Sequence, residues 1–347
     1  MEVKHILVIR FRQMGDAVLA TPLLSTLRRA YPEAQIDFVL NARIAPLFEG
    51  HPAVSRIITF TDDERHHALT YVRKVWQTVR RTRYDVIIDM RSTVNTMLFA
   101  LFSPSTPYRI GVSKPYTRFV FNHRFPGCEA DERMTDHNLS MLTPLGSLPT
   151  DSRLSLHITE AEIADFRQYM RRQGIDFSRP VMLAGVTAKL ESKTWAEDRM
   201  VEVLRRFLAA RPDVQVIFNY APGREAENVR RMYDALGEPP AVFINIEAGS
   251  MRQLAAMAAN CTFYFGNEGG ARHIVQAMGR PSLVVCSPMA SKTTWLPECD
   301  EPLTRGIAPS DVDPRAARLD YAAQYALIST DRVWAALQQF CSQILTD

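Results

Sequence analysis

The chain has few of the residues that build disulfide frameworks and metal sites. Its 347 residues include five cysteines, which are scattered along the sequence and never form a CxxC pair. This pattern predicts reduced, mostly buried thiols and supports neither a disulfide framework nor a zinc site. The five are Cys128, Cys261, Cys286, Cys299 and Cys341.

Long apolar runs and the familiar cofactor loops are also absent. No run reaches the roughly 18 apolar residues that span a bilayer, and the opening MEVKHILVIR lacks the features of a signal peptide, so we expect a cytoplasmic protein. The sequence contains no GxGxxG, GK[ST] or GxSxG motif. These absences argue against a dinucleotide-dependent dehydrogenase, a P-loop NTPase and a serine hydrolase.

The charge is unevenly distributed. The chain carries a net charge of +3, and residues 1–175 hold 23 Lys and Arg against 18 Asp and Glu, whereas the remainder holds 18 against 20. Part of the basic excess lies among aromatic residues, in YRIGVSKPYTRFVFNHRF. Such a run is typical either of a solvated face or of a surface for an anionic acceptor or lipid headgroup. We expect no nucleic-acid partner.

Short apolar runs rich in Val, Ile and Phe alternate with helical patterns. Because these runs are apolar throughout, they predict strands that are covered on both faces, and hence an α/β fold with mainly parallel sheets. The runs are HILVIR (5–10), QIDFVLN (35–41), VSRIITF (54–60), YDVIIDM (84–90), YRIGV (108–112), VMLAGV (181–186), VQVIFNY (214–220), AVFINI (241–246), CTFYFGN (261–267) and PSLVVCS (281–287).

The two series of runs predict two Rossmann-like domains, 1–158 and 175–347. A polar connection (147–159) and a helix from about Thr159 to Arg172 separate them, and Thr-Glu-Ala-Glu at its start is a capping signal. A final helix, about 331–342, is free to pack on either domain, including back on the N-terminal one. Ligands bind beyond the carboxyl ends of parallel strands, so we expect the site in a cleft between two facing domains.

Asp16 follows the first strand and precedes a helix, in the stretch Ile9-Arg10-Phe11-Arg12-Gln13-Met14-Gly15-Asp16. Asp is a preferred helix cap, and Gly15 permits a turn, so one interpretation is structural. The other is a general base at the carboxyl edge of the sheet. Position alone does not decide between them.

Two loops of the second half have the composition of an anion site. In GVTAKLESKTWAEDR, Thr187 and Lys193 precede a helix, where free amides and a cation favour a phosphate, although Lys193 is equally compatible with a surface position beside Trp195. In FGNEGGARHIVQAMGRP, the paired glycines leave amides unobstructed at a helix start. A tight turn with a buried His273 is the structural alternative. The DxD sequence at 311–313 lies in a Pro-rich stretch, away from any predicted strand end, and we interpret it as chance.

Taken together, these segments resemble glycosyltransferase family 9, the bacterial lipopolysaccharide heptosyltransferases. The resemblance rests on ILVIRFRQMGDAVLATPLLSTLRRAYPEAQIDFV, YDVIIDMRS, SKTWAEDR and GNEGGARHIVQAMGRPSLVVCSP, which are spread over nearly the whole chain. It implies the GT-B architecture of two facing Rossmann-like domains. It also implies inverting transfer of heptose from ADP-L-glycero-D-manno-heptose to a lipopolysaccharide core acceptor, with no cofactor and no metal.

The resemblance also implies roles for single residues. Asp16 matches the family's catalytic carboxylate and would remove the proton of the acceptor hydroxyl, while Lys193 would stabilise the leaving diphosphate. The first domain then binds the acceptor and the second the nucleotide, which explains why no phosphate loop follows the first strand. The donor-binding candidates are Thr187, Glu225, Glu268, Gly269, Gly270, Arg272 and His273.

Arg91, Arg109, Lys114 and Arg118 are the candidates for holding an anionic acceptor. Because that acceptor is lipid-anchored, the resemblance implies peripheral contact with the cytoplasmic face of the inner membrane, through residues 107–125.

One departure keeps other activities open. Where the family commonly has Asp-Thr-Gly-x-x-His, this chain has Glu268-Gly269-Gly270-Ala271-Arg272-His273, and we expect Arg272 to replace the lost phosphate contact. The alternatives are a GT-B transferase with another nucleotide sugar or glycan acceptor, and a nucleotide-sugar-binding scaffold without catalysis.

Overall fold

The computed structural model describes residues 2–129 and 131–345 of the chain. The chain divides into two compact units, one running up to His157 and the other beginning at Ile158. Each unit is built on a mainly parallel sheet, so the predicted α/β fold is confirmed. Within the described residues, no helix combines the length and the apolar character that crossing a bilayer requires.

The first unit is a parallel sheet flanked by helices. Its strands are β1 (His5–Ile9), β2 (Gln35–Asn41), β3 (Arg56–Phe60), β4 (Val86–Asp89), β5 (Tyr108–Val112) and β6 (His123–Phe125). They lie in the order β3-β2-β1-β4-β5-β6, with every described pair parallel. The helices are α1 (Met14–Val18), α2 (Thr21–Ala30), α3 (Asp62–His66), α4 (Ala68–Arg81), α5 (Leu98–Leu101) and α6 (Met134–Ser140).

The second unit repeats this plan. Its strands are β7 (Val181–Gly185), β8 (Gln215–Phe218), β9 (Val242–Phe243), β10 (Phe263–Asn267), β11 (Ser282–Val285), β12 (Cys299–Asp300) and β13 (Leu303–Ile307). They lie in the order β12-β13-β11-β10-β7-β8-β9, and the β12–β13 pair is antiparallel. The helices are α7 (Glu160–Arg172), α8 (Glu197–Ala210), α9 (Arg224–Ala235), α10 (Met251–Asn260), α11 (Gly270–Ala277), α12 (Lys292–Trp295), α13 (Pro309–Val312), α14 (Tyr321–Ala326) and α15 (Thr330–Ile344).

Each predicted apolar run contains a strand, although AVFINI supplies only the two residues of β9. The side chains of Ile6, Leu7, Val8 and Ile9 are all fully buried, which is why β1 shows no polar alternation. The strands β6, β12 and β13 were not predicted, because their sequences are short or contain charged residues at half-exposed positions.

The helices α7 and α15, which flank the second sheet in sequence, both belong to the second unit. Thr159 caps α7 through reciprocal hydrogen bonds with Glu162, as the capping signal predicts, and Arg252 of α10 pairs with the same Glu162. The apolar face of α15 packs against α8 and buries Val333 and Leu337 in the second core. The C-terminal helix thereby completes one side of that sheet.

Glycine permits a close approach between β7 and β10 at their carboxyl ends. A Cβ on Gly185 would lie 1.9 Å from the Tyr264 hydroxyl, and one on Gly266, whose φ is +150°, would lie 2.4 Å from the carbonyl oxygen of Gly185. Either contact is far inside van der Waals distance. A side chain at 266 would therefore collide with the backbone of β7, whereas one at 185 would collide with the Tyr264 side chain.

His51 is a buried histidine in the first unit with both ring nitrogens satisfied. Its Nδ1 accepts from the amide of Ala53 at 3.2 Å, so its Nε2 carries the proton and donates to Ser155 Oγ, also at 3.2 Å. Burial lowers the pKa of His51 to about 4. A proton on Nδ1 would leave two donors facing each other.

This depressed pKa predicts a pH-dependent stability. Because the unfolded chain protonates near pH 6.5 and the folded one near pH 4, the stabilisation is complete above pH 6.5 and is lost as the pH falls. Between pH 7 and pH 5 the loss should be about 2 kcal/mol. The free energy of unfolding, measured with denaturant at both pH values, should change by about 2 kcal/mol less in His51→Gln than in wild type. An equal change in the two proteins would contradict the assignment.

Candidate functional site

The predicted donor-binding residues of the second unit follow the carboxyl ends of β7, β8 and β10, and several of them are paired. Lys193 Nζ lies 3.0 Å from Glu268 Oε1, and Ser287 Oγ donates to the same oxygen at 2.7 Å. Thr187 Oγ1 donates to Glu225 Oε2 at 2.9 Å. Lys193 is therefore not the isolated surface lysine of the structural alternative, because it has a largely buried carboxylate as its partner.

Asn267 holds these loops in place, and the sequence gave no reason to assign it this role. Its Oδ1 accepts from the amide of Trp195 at 2.8 Å, and its Nδ2 donates to the carbonyls of Gly185 and Val186. One buried amide thereby satisfies three backbone groups that lie 72 to 82 residues before it in the sequence. Ser287 was missed as well; the only available signal was its position at the carboxyl end of an apolar run.

The amino end of α11 has the open backbone that the glycine motif predicts. Gly269 is its N-cap residue, with no side-chain cap, and its φ of 166° is ordinary extended backbone. A Cβ there would meet nothing within 4 Å. Neither backbone strain nor packing demands glycine at 269, so its effect is to leave the helix amides accessible to an anion.

Arg272 and His273 lie inside the unit. Arg272 donates to the carbonyl of Trp295, to Gln276 Oε1 at 3.2 Å and to His273 Nε2 at 2.9 Å. Burial lowers the pKa of Arg272 to about 10. The expectation that Arg272 supplies a compensating phosphate contact is thus not met, because two of its nitrogens bind protein atoms and the side chain is 2% exposed.

Asp16 lies within α1 and does not cap it. The N-cap is Gln13, and Asp16 is the third residue of the helix. Its Oδ1 lies 3.1 Å from Arg10 Nη2 and 3.3 Å from Arg12 Nη1. The capping interpretation is therefore wrong, and the carboxylate is oriented by two guanidinium groups.

Arg10 is itself anchored at the carboxyl end of β1. It is 3% exposed and donates to the carbonyl of Met90 at 2.9 Å, while burial lowers its pKa. An Arg buried this deeply is stable only beside a carboxylate such as Asp16. The sequence Arg10-Phe11-Arg12 places two arginines before Asp16, but it does not show which of them is buried.

Three of the four acceptor candidates follow the carboxyl ends of β4 and β5. Arg91 Nη1 donates to the carbonyl of Phe11 at 2.6 Å, and Lys114 Nζ donates to the carbonyl of Arg91 at 2.9 Å. Burial and the charges of Arg12 and Arg65 lower the pKa of Arg91. This edge is therefore crowded with cations, including Arg65, which the sequence did not single out. Arg118 lies in the same loop as Lys114, between β5 and β6, and is exposed.

Arg109 does not join them. It is the second residue of β5, and its guanidinium donates to the carbonyls of Pro104, Thr106 and Val120 at 2.7 to 2.9 Å. Pro104 and Thr106 precede the strand, so the side chain is held toward the amino end of the sheet, away from the edge that carries Asp16.

Among the described residues, one group has the atoms of a metal site: Cys128, Glu132 and His137. It includes none of the predicted site residues. Asp311 of the DxD sequence is instead paired with Lys292 at 2.9 Å, in agreement with its interpretation as chance.

Comparison with known proteins gives a consistent result. The model of glycosyltransferase family 9 (heptosyltransferase) matches residues 72–296. Lipopolysaccharide heptosyltransferase 3 of Escherichia coli (strain K12) is 25% identical over 289 residues, which cover 78% of either protein.

Solved structures match over nearly the whole chain. The glycosyl transferase family 9 protein from Veillonella parvula DSM 2008 superposes with a TM-score of 0.84 at 18% identity, over 99% of this chain and 98% of that one. E. coli ADP-heptose LPS heptosyltransferase II superposes with a TM-score of 0.75 at 20% identity, over 98% of this chain and 99% of that one. The fold is therefore that of the GT-B heptosyltransferases, as the resemblance implied.

His273 offers a direct test of the geometry around α11. Because Arg272 can only donate, His273 Nε2 must accept and the proton must sit on Nδ1, which is buried and has no partner among the described residues. Burial, with the charges of Arg272 and Lys193, holds the pKa of His273 well below its usual range. In nitrogen-15 NMR, its signal, identified by its loss in His273→Gln, should show the Nδ1–H tautomer unchanged from pH 8 to 5.5. Titration near pH 6.5 would contradict this arrangement.

Proposed function

The chain belongs to glycosyltransferase family 9, and from this membership we propose that it transfers heptose from ADP-L-glycero-D-manno-heptose to a lipopolysaccharide core acceptor. We further propose that the transfer inverts the anomeric carbon and needs no metal ion. The observation that carries the proposal is the Lys193–Glu268 pair beside the open amino end of α11. A cation and free amides at one helix start form a site for a diphosphate.

The donor is proposed to bind through the loops of the second unit. The diphosphate accepts hydrogen bonds from the α11 amides around Gly269 and Gly270 and from the ammonium of Lys193. The ammonium thereby neutralises the charge that develops on departing ADP. Glu225, oriented by Thr187, accepts the ribose hydroxyls. Glu268 is freed from Lys193 and accepts a sugar hydroxyl.

The chemical step is proposed to use Asp16 as the base. Its carboxylate takes the proton of the acceptor hydroxyl as that oxygen bonds to the anomeric carbon, and the bond from this carbon to the ADP oxygen breaks with its electron pair. Attack opposite to the leaving group inverts the configuration. Arg10 and Arg12 support this role because they fix the carboxylate that must meet the hydroxyl.

The acceptor is proposed to be held through its negative charges. Arg91, Lys114 and Arg118 follow strand ends on the edge that carries Asp16, and the positive charges crowded there favour a phosphorylated or carboxylated sugar. Arg109 has no part in this proposal, because its donors are used by backbone carbonyls.

A second candidate donor follows from Glu268. It is longer than the aspartate common in the family, and it already bonds to Ser287 and Lys193. Another nucleotide sugar would fit this altered contact, and a panel of ADP, UDP and GDP sugars compared by kcat/KM separates the two candidates. A scaffold without catalysis would bind a donor from the panel but transfer none.

Asp16→Asn tests the mechanism. It preserves shape but removes the base, so kcat should fall at least about 100-fold while donor affinity stays within about twofold. The assay is transfer from ADP-heptose to a deacylated core acceptor in EDTA, with donor affinity measured by calorimetry. Glu33→Gln, a surface carboxylate preceding β2, is the control and should be fully active. Full activity of Asp16→Asn would remove Asp16 from catalysis, and wild-type activity abolished by EDTA would overturn metal independence.

Peripheral membrane contact is proposed for the loop after β5. Phe119 is 85% exposed and Tyr116 45%, and the Arg118 guanidinium lies 4.8 Å from the Phe119 ring centre. Exposed aromatics beside a cation are suited to an anionic lipid surface, here the cytoplasmic face of the inner membrane.

Vesicle binding tests this contact. The protein should sediment with vesicles of phosphatidylethanolamine and phosphatidylglycerol, less so as salt rises, and Phe119→Ser should weaken binding several-fold. Leu319→Ser, which removes a 40% exposed apolar side chain from the second unit, should bind as wild type does. Equal sedimentation of the Phe119 and Leu319 variants would contradict the proposal.

A further inference from the structure

Cys128, Glu132 and His137 bring three kinds of ligand atom together in the first unit. The Cys128 Sγ, a Glu132 carboxylate oxygen and a His137 ring nitrogen all lie within 4.8 Å of one another. His137 Nδ1 is 3.2 Å from Glu132 Oε2, and its side chain is 7% exposed. His137 belongs to α6, whereas Cys128 and Glu132 precede that helix.

This donor set has the chemistry of a zinc site. One thiolate, one imidazole and one carboxylate suit a borderline-soft cation, and three protein ligands leave a fourth position for water. Typical zinc–ligand bonds imply separations of about 3.3 Å between nitrogen and oxygen and about 3.6 Å between nitrogen and sulfur. The His137–Glu132 distance already matches, and the thiol needs to approach by at most about 1.2 Å.

The charges are compatible with a divalent cation. A zinc-bound cysteine is a thiolate, and a bound carboxylate carries one further negative charge. A bound cation displaces the thiol proton, and its two positive charges balance the thiolate and the carboxylate. Among the described residues, Glu132 is the one acidic side chain that pairs with His137.

We propose that Cys128, Glu132 and His137 form a zinc site that fastens the chain before α6 to that helix. Its role would be to hold α6, which contacts the chain after α1 through Asn138 Nδ2, a donor to the carbonyl of Leu19. None of the three ligands belongs to the proposed transfer machinery. The proposal therefore stands or falls independently of the donor and acceptor.

Cobalt titration of the purified full-length protein tests the site. Cobalt(II) takes the place of zinc and gives a thiolate-to-metal charge-transfer band when a cysteine is a ligand. Wild type should show this band with one cobalt per chain, and added zinc should abolish it. A loss of transfer activity in EDTA that zinc alone restores, and that Cys128→Ser does not show, belongs to this site and not to the transfer step. Cys128→Ser should lack the band. His137→Gln should weaken cobalt affinity at least about tenfold, the size expected for losing one ligand contact.

Cys299→Ser is the matched control, because Cys299 is also half-buried but lies outside the cluster. It should keep the full band. Absence of the band in wild type, or an equal band in Cys128→Ser, would overturn the proposal.

A thermal measurement guards against variants that misfold. Zinc should raise the melting temperature of wild type and of Cys299→Ser, but not that of Cys128→Ser or Glu132→Gln, since only a ligand bound to the folded state stabilises it. The metal-free melting temperatures should agree among all four proteins. A zinc shift that survives in both cluster variants would place the metal elsewhere.

Discussion

The near contact of β7 and β10 at Gly185 and Gly266 is the constraint on which the second unit's functional edge depends. It lets the Asn267 amide reach the carbonyls of Gly185 and Val186 and the amide of Trp195 at once. These three bonds fix where the loop carrying Lys193 leaves the sheet. A side chain at Gly266 would meet the backbone of Gly185, and one at Gly185 would displace the Tyr264 hydroxyl, which donates to the carbonyl of Asn267.

In the first unit, an ion pair holds the carboxyl edge of the sheet. Arg10 is buried at the end of β1, and its partner Asp16 gives the adjoining short helix a fixed orientation. Asp16 supplies a counter-charge and a hydrogen-bond acceptor for the buried guanidinium of Arg10, which offsets the cost of burying that charge. The interaction that stabilises this edge of the fold is thus the one that aims the carboxylate.

The strands and the loops bearing the site were predictable because a strand buried on both faces leaves an unbroken apolar run, as HILVIR and CTFYFGN show. Side-chain partners were not. The sequence could not show that the side chain of Arg272, a residue of α11, is buried, or that Asn267 bonds to the loop after β7, since both depend on contacts distant in sequence. Nor does a residue pattern show that Arg109 turns toward the amino end of β5, although its partners there are close in sequence. The Cys128 cluster escaped for a different reason: its three residues are close in sequence, but their spacing matches no familiar metal-binding motif.

The Lys193–Glu268 pair has a consequence for selectivity. Before any ligand arrives, the ammonium already has a counter-ion 3.0 Å away, so an approaching anion meets a positive charge that is already balanced. Inorganic phosphate must compete with this tethered carboxylate for the ammonium, and it has only the α11 amides as further partners. A larger molecule that also contacts the neighbouring hydroxyl and carboxylate groups gains more from displacing Glu268. The Lys193–Glu268 pair therefore favours binding of such a molecule over binding of small anions.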